Sequence, residues 1–223
     1  FVSSTHSYLM FFTNKGKVYW LKVYEIPEAG RAARGKAIVN LIKLEPDEKI
    51  TAILTVKEFT EGRFVVMATK KGTVKKTSLI AYSKPRSTGI IALLLEEGDE
   101  LISVALTDGN QDLFLGSKEG KSIRFKEKQI RVVGRATKGV RGMDLEGDDV
   151  VVGMEIVGDG TAILTVCEHG HGKRTDASEY RAQRRGGKGI ITIKTTERNG
   201  KVVGINKMMD DEDLMLITTL GKI

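Results

Sequence analysis

The chain has 223 residues, of which 40% are hydrophobic and 29% are charged, an ordinary composition for a globular protein. Its 36 Lys and Arg residues outnumber its 29 Asp and Glu residues, and the net charge of +7 favours an anionic partner. No apolar run approaches the roughly 20 residues of a membrane-spanning helix. The single cysteine, Cys167, excludes an internal disulfide and suits a reducing cytoplasm. Aromatic residues make up 6%, too few for the stacking platforms of single-strand nucleic-acid binders.

Both ends of the sequence suggest that it is part of a longer protein. It starts at Phe1 without a methionine and stops at Ile223, inside "LMLITTLGKI", which has the pattern of a strand, a turn and a strand. Between these ends no shift in composition marks a linker. We therefore expect one domain over residues 1–223, belonging to a larger chain.

An internal repeat organises the sequence. Five stretches share an apolar, β-branched run, a few polar residues and then a glycine: "YLMFFTNKG", "FVVMATKKG", "DLFLGSKEG", "AILTVCEHG" and "DLMLITTLG". Successive turn glycines, Gly16, Gly72, Gly120, Gly170 and Gly221, are 56, 48, 50 and 51 residues apart. A second glycine follows each of the first four after 17 to 19 residues, at Gly35, Gly89, Gly139 and Gly189. Such a register predicts a repeat architecture.

The units have the pattern of strands. "RFVVMAT" and "TAILTV" are short and rich in Val, Ile and Thr, and the turn dipeptides Asp108-Gly109, Asp159-Gly160 and Asn199-Gly200 suit tight hairpins. The best helical candidate, 176–183, is long enough for one short turn. A unit of about 50 residues matches a four-stranded propeller blade. We therefore expect an all-β, propeller-like array of four-stranded blades, with four complete units and the opening of a fifth.

A cationic, glycine-containing segment precedes the second glycine of every unit: "GRAARG" (30–35), "KPRSTG" (84–89), "GRATKG" (134–139) and "RRGGKG" (184–189). Charged residues and glycine are common in any exposed loop, but a blade repeat places equivalent positions along one rim. Such a band of cations suits the phosphates of duplex DNA, contacted without reading bases. Further cations recur four residues after the turn glycine, where the first unit has Trp20. The predicted DNA-binding residues are Arg31, Arg34, Lys36, Lys75, Lys76, Arg86, Arg124, Arg135, Lys138, Arg141, Arg174, Arg181, Arg184, Arg185 and Lys188.

Over its whole length, the sequence resembles the C-terminal domain of DNA gyrase A. The resemblance is carried by "YEIPEAGRAARGKAIVNL" (24–41), "ATKKGTVKKT" (68–77), "GVRGMDL" (139–145) and "QRRGGKG" (183–189). It implies a six-bladed β-pinwheel whose blades exchange strands and around whose basic rim DNA wraps. It further implies a cytoplasmic, nucleoid-associated bacterial enzyme, a type II topoisomerase that supercoils DNA with ATP and Mg²⁺ held on other domains. In that enzyme the gyrase A chain forms a heterotetramer with the ATPase subunit.

The segment Gln183, Arg184, Arg185, Gly186, Gly187, Lys188 and Gly189 matches the box that the family requires for wrapping. In the family the box precedes the first blade, upstream of the motif at 24–41, whereas here it lies on the fourth unit. Two interpretations follow: the segment acts as the box, or it is an equivalent loop of a later blade. None of the tyrosines has the sequence context of the family's cleavage tyrosine, so we assign no catalytic residue.

Other motifs are weaker. "LFLGSKEGKS" (113–122) resembles a P-loop with one residue missing and no helix after it. "CEHGH" alternates possible zinc ligands, but a buried strand cysteine beside exposed turn histidines is the better interpretation. The four consecutive acids of "MMDDEDLM" (208–215) suit a solvated hairpin tip better than a weak divalent-cation site. We predict neither a metal nor a cofactor. The alternatives to gyrase A are the corresponding domain of topoisomerase IV and a basic propeller that binds acidic protein partners.

Overall fold

The computed structural model describes residues 3–30, 32–213, 215 and 217. Over these residues the protein is all-β, with fifteen strands and five short 3-10 helices, and no described helix has the length and apolarity needed to cross a membrane. The strands are β1 (Tyr8–Thr13), β2 (Lys17–Lys22), β3 (Ile50–Val56), β4 (Phe64–Thr69), β5 (Thr73–Ser78), β6 (Ile90–Ile91), β7 (Leu101–Thr107), β8 (Asp112–Ser117), β9 (Lys121–Lys126), β10 (Val140–Arg141), β11 (Val151–Val157), β12 (Ala162–Cys167), β13 (Gly172–Asp176), β14 (Ile190–Ile191) and β15 (Val202–Met208). The 3-10 helices are Val23–Glu25, Ile38–Asn40, Leu79–Tyr82, Glu127–Gln129 and Ala177–Glu179.

Each repeat unit builds most of one antiparallel sheet, which we call a blade. The strand orders are β3-β1-β2-β6 in blade 1, β7-β4-β5-β10 in blade 2, β11-β8-β9-β14 in blade 3 and β15-β12-β13 in blade 4. The fourth strand of blades 1 to 3 therefore comes from the following unit. This confirms the propeller-like architecture and the strand exchange expected from the resemblance.

The first hairpin strand of blades 2 and 3 is buried on both faces because blades pack against each other. In β4, Val65 and Met67 belong to the core between blades 1 and 2, whereas Val66 and Ala68 belong to the core between blades 2 and 3. Successive side chains of a strand point to opposite faces, so one apolar run serves two cores. The sequence therefore shows continuous apolar runs instead of alternation.

The turn glycines of blades 1 to 3 allow the exchanged chain to pass over the hairpin. The amides of Ala92 and Leu93 donate to the carbonyl of Gly16 at 2.8 and 3.1 Å, and a Cβ on Gly16 would lie 2.5 Å from the carbonyl oxygen of Leu93. A Cβ on Gly120 would lie 2.2 Å from that of Ile193, and both glycines have positive φ angles. These glycines therefore serve the contact between units as well as the turn.

Two sequence predictions about turns had different outcomes. The Asp108-Gly109, Asp159-Gly160 and Asn199-Gly200 turns join strands of different blades, so their assignment to hairpins was wrong. Strands β7 and β8 belong to blades 2 and 3, β11 and β12 to blades 3 and 4, and β14 and β15 to blades 3 and 4. The helical candidate at 176–183 is confirmed as one short turn, Ala177–Glu179. The strand-turn-strand predicted at the C-terminus, including Gly221, lies outside the described residues apart from Met215 and Ile217.

Candidate nucleic-acid interface

Three of the four cationic segments lie at the outer edge of the blades. We call 30–35, 84–89, 134–139 and 184–189 corners 1 to 4. Corners 2, 3 and 4 lead directly into the short exchanged strands β6, β10 and β14, which are the outermost strands of blades 1, 2 and 3. The inner strands β3, β7, β11 and β15 lie at the opposite edge of each sheet, so the corners and the inner strands are separated by the whole blade.

Most of the predicted DNA-binding cations are exposed at this edge or beside it. Arg135 and Arg185 are half-buried, and Arg31 lies outside the described residues. The exposed members are Arg34, Lys36, Arg86, Lys138, Arg141, Arg174, Arg181, Arg184 and Lys188.

Lys75 and Lys76 do not belong to the exposed set, because both are buried in blade 2 at 1% and 5% exposure. The Lys76 ammonium donates to the carbonyl of Glu127 at 3.3 Å and lies 3.7 Å from its carboxylate, which is itself fully buried. The Lys75 ammonium donates to three backbone carbonyls. Both ammonium groups are buried and hydrogen-bonded to protein atoms, so neither lysine is placed to contact phosphate. The prediction that they bind DNA was wrong for this reason.

Arg124 occupies the repeat position of Lys76 and also joins two blades. Its guanidinium donates to the Asp112 carboxylate from Nε at 2.9 Å and to the carbonyl of Ala177 from Nη1 at 2.7 Å. Ala177 and Glu127 are the first residues of equivalent 3-10 helices. The cation four residues after the turn glycine is thus a contact between blades. Arg174 holds this position in blade 4, where it is exposed and paired with Asp210.

Two arginines that lie four residues before the second glycine, Arg135 and Arg185, fold back onto the preceding exchanged strand. Arg135 Nη1 donates to the carbonyl of Ile91 at 3.5 Å, and Arg185 Nη1 donates to the carbonyl of Arg141. Ile91 and Arg141 are the last residues of β6 and β10. Arg135 and Arg185 therefore connect each corner to the exchanged strand of the preceding unit and leave part of each guanidinium at the surface.

Corner 4 is fixed largely by its backbone. The amide of Gln183 donates to the carbonyl of Arg124 at 2.7 Å, and that of Gly186 donates to the carbonyl of Gly142 at 2.7 Å. Gly186 and Gly189 have φ angles of 80° and 74°, which disfavour any side chain. A Cβ on Gly189 would also lie 2.2 Å from the carbonyl oxygen of Ser122, whereas Gly187 has no neighbour closer than 3.5 Å.

Acidic side chains pair with several corner cations. Glu146 accepts from Lys188 at 2.6 Å and from Lys121 at 2.8 Å. These two hydrogen bonds, that from Lys121 foremost, lower the pKa of Glu146 to about 2, and the same contact raises the pKa of Lys188. Lys138 lies 3.4 Å from Glu96, the residue that precedes Glu146 by 50 positions. An anionic ligand must therefore compete with carboxylates at equivalent places in two units.

Sequence reasoning missed Arg131, an exposed residue between the 3-10 helix and corner 3. It lies 50 positions before Arg181, so the repeat register would have identified it. Its neighbour Val132 forms a parallel bridge with Lys76, just as Ala182 does with Arg124. Arg131 and Arg181 therefore occupy the same place beside successive blades.

Other predicted features fall into ordinary structure. The P-loop-like segment 113–122 is the hairpin of β8 and β9, and Cys167 is buried at the end of β12 as expected. His169 is exposed and contacts the carbonyl of Arg198 at 3.0 Å. Within the part of the chain that the structure describes, no three His, Cys, Asp or Glu side chains are grouped so as to hold a metal ion.

The blade architecture and the repeat agree with a known family. The family model of the DNA gyrase C-terminal domain, a β-propeller, matches residues 7–57, 63–108, 111–158 and 163–207, one segment for each unit. The chain belongs to this family. Among solved structures, a C-terminal domain of DNA gyrase A is similar with a TM-score of 0.80 and 28% identity, over 94% of this chain and 68% of that one.

Two further solved structures share the fold of this chain. The C-terminal domain of a DNA topoisomerase IV gives a TM-score of 0.85 at 28% identity, over 92% of this chain and 65% of that one. The C-terminal domain of Escherichia coli ParC gives 0.72 at 12% identity, over 93% and 83%, which speaks to the fold alone.

The curated relatives include the DNA gyrase A proteins of several bacteria. Identity is 52% to that of Salmonella typhimurium, 51% to that of Escherichia coli K12 and 48% to that of Helicobacter pylori, each over the whole of this chain. The chain spans 25–27% of the length of these relatives. Both the family model and these relatives favour gyrase over topoisomerase IV.

Proposed function

We propose that this domain binds duplex DNA without sequence specificity and bends it around the outer edge of the blades. The observation that carries the proposal is the recurrence of exposed cations at corners 2, 3 and 4, which precede equivalent exchanged strands. Because the corners repeat with the blades, their charges follow the curvature of the blade array. Phosphates are spaced regularly along a duplex, so a repeated cation set can contact them in succession.

The chemistry of the corners suits backbone recognition. Arg86, Arg184 and Lys188 offer exposed donors to phosphate oxygens, and guanidinium groups match the geometry of two such oxygens. The described corner residues present no aromatic side chain to stack on a base. Contacts to phosphate fix the position of a protein on DNA but carry no sequence information.

The energies of binding and bending are comparable. Bending a site of 20–30 base pairs smoothly by 40–90° costs roughly 1–6 kcal/mol. Nonspecific protein–DNA affinities of about 10⁻⁴ to 10⁻⁶ M correspond to roughly 5–8 kcal/mol and arise from counterion release. Bending is therefore feasible at low salt and weakens as salt rises.

Within the parent protein we propose that the domain wraps DNA with a fixed handedness, as the C-terminal module of gyrase A. The wrap would present a second duplex segment for passage and so support ATP-dependent negative supercoiling. The partners would be the N-terminal breakage-reunion domain of the same chain and the ATPase subunit, in the bacterial cytoplasm. On this proposal ATP and Mg²⁺ act on the other domains, and this domain supplies no catalytic residue. The box-like loop 183–189 would act either as the wrapping box or as one corner among equals.

A salt titration tests the proposal. Affinity for duplexes of three unrelated sequences is measured by fluorescence anisotropy between about 50 and 200 mM salt. If six to ten phosphates are contacted, log K should fall with log salt with a slope of roughly −5 to −9, equally for all three sequences. Preference for one sequence would reveal base readout, and no binding at low salt would favour the alternative of a surface for acidic proteins. Either result would overturn the proposal.

A further inference from the structure

The ammonium group of Lys75 is buried, and no described residue of opposite charge pairs with it. It donates to the carbonyl of Ala92 at 2.8 Å and to that of Thr137 at 3.0 Å, and also to the carbonyl of Arg135. Among the described residues, its hydrogen-bond partners include no carboxylate. Burial, with a contribution from the Arg135 charge, lowers the pKa of Lys75 to about 8. A buried charge of this kind is costly, so its presence calls for a role.

The three carbonyls belong to two different units. Ala92 directly follows the exchanged strand β6, whereas Arg135 and Thr137 lie in corner 3. Lys75 itself is on β5 of blade 2. The Lys75 side chain therefore connects two segments of the chain. One is the end of β6, the exchanged strand of blade 1, and the other is corner 3, which leads into β10 of blade 2.

The next blade shows that the architecture does not require a lysine here. Ile123 holds the equivalent position on β9, three residues after the turn glycine, and is fully buried in the core between blades. Lys75 lies opposite Met67 in its hairpin, as Ile123 lies opposite Leu115. An apolar residue thus completes a blade at this position, and the lysine serves something that is specific to corner 3.

We infer that Lys75 is a positioning residue that holds corner 3 in the conformation that presents Arg135 and Lys138 to DNA. That Lys75 holds corner 3 in place is inferred from its three hydrogen bonds to carbonyls. That this affects DNA binding rests on the proposed function. Corner 3 has Ala136 where corner 4 has Gly186, whose amide ties that corner to Gly142. The lysine replaces this missing backbone bond. Its own charge does not contact phosphate.

The structural part is tested by hydrogen exchange. The amide of Leu94 donates to the carbonyl of Thr137 at 3.1 Å, and the equivalent amide of Asp144 donates to the carbonyl of Gly187 at 2.9 Å. In the Lys75→Ile variant, which copies blade 3, the Leu94 amide should exchange about tenfold faster or more, since a freed corner exposes that amide to local opening. The Asp144 amide serves as the internal control and should be unchanged. Equal protection of Leu94 in both proteins would overturn the inference.

The DNA consequence is tested by a double-mutant cycle. Removing Arg135 and Lys138 together should lower affinity roughly tenfold or more near 0.1 M salt in the wild-type chain, but less than about threefold in the Lys75→Ile background. Removing Arg184 and Lys188 should cost the same in both backgrounds. Additive losses at corner 3 would overturn the inference.

Two further outcomes are informative. Circular dichroism checks the fold of Lys75→Ile, and Lys75→Met is the second variant; if neither folds, an apolar residue cannot serve this position and the inference fails. If the wild-type chain binds no duplex DNA at all, the proposed function fails instead, and exchange at Leu94 still decides whether Lys75 positions the corner.

Discussion

Corners 3 and 4 have the same place in successive blades and are held by different means. Both have at their second position an arginine that reaches back to the preceding exchanged strand, and both end in Lys-Gly. Corner 3 is held from below by the buried ammonium of Lys75. Corner 4 lies over Ile123 and is held by the amide of Gly186, whose positive φ angle turns it toward Gly142.

The difference shows that two loops can keep the same position without sharing the interaction that fixes it. At corner 3 the Lys75 side chain supplies several hydrogen-bond donors from outside the loop, so the loop itself can have Ala136 in place of a glycine. A glycine supplies a donor from the loop's own backbone and tolerates an apolar neighbour beneath it. The two solutions have different weaknesses, since one depends on a charge and the other on the absence of a side chain.

The largest expected effect is on corner 4. Gly189→Ala should destabilise the chain by about 2–4 kcal/mol, because it adds strain at a positive φ angle to a clash with the Ser122 carbonyl. Thermal or denaturant unfolding measures the loss. Gly187→Ala is the matched control. It should change stability by less than about 0.5 kcal/mol, because a Cβ on Gly187 would have no neighbour closer than 3.5 Å. Equal stability of the two variants would contradict the close approach of Gly189 to the Ser122 carbonyl.

The second effect concerns the charge beneath corner 3. Because the folded-state pKa of Lys75 is about 8, below the ordinary value of 10.5, the unfolded chain binds more protons between these pH values. Stability contributed by this group therefore rises with pH across that window and is lowest below about pH 8. Lys75→Ile lacks the group, so its stability relative to wild type should fall by about 1–3 kcal/mol between pH 7.5 and 10.5. Denaturant unfolding at both pH values measures it, and a constant difference would contradict the burial of the charge.

The third effect concerns the cations themselves. Arg184→Ala with Lys188→Ala should flatten the salt slope of DNA binding by roughly two and weaken binding equally for all sequences. Arg135→Ala with Lys138→Ala should do the same if corner 3 binds DNA as corner 4 does. A full effect at corner 4 with none at corner 3 would favour a special role for the box-like loop over a band of equal corners.

The smallest effect involves the acid beside corner 4. Glu146→Gln removes the carboxylate that pairs with Lys121 and Lys188, so DNA affinity should rise about two- to fivefold at low salt, an effect that screening should abolish at high salt. Glu61→Gln, an exposed acid for which the structure gives no ion pair among the described residues, controls for net charge. Equal gains in the two variants would mean that net charge alone sets the affinity.

Much of the fold was predictable because the repeat is encoded locally. The spacing of the turn glycines predicted the blades, and the second glycines predicted the corners that lead into β6, β10 and β14. The Asp108-Gly109 turn misled because its dipeptide fixes only the local backbone. Whether the flanking strands pair or separate into two blades depends on distant partners.

The site was predicted only in part for the same reason. Charged side chains are usually expected at the surface, and Lys75, Lys76 and Arg124 were predicted to lie there. Their charge alone does not distinguish them from Lys138 or Arg184. Their burial depends on strand exchange, which brings carbonyls of the next unit over these positions. A register argument would have helped, since Ile123 and Trp20 at equivalent positions indicate the interior of a blade interface.

We propose that the corners bend DNA around the blades with one handedness, and plasmid topology tests this directly. Nicked circles are incubated with the chain at low salt, sealed with ligase, freed of protein and resolved for linking number. We predict a protein-dependent shift of one sign that disappears by about 200 mM salt, as phosphate contacts weaken. Tight binding with no shift in linking number would contradict the claim and leave a basic docking surface in its place.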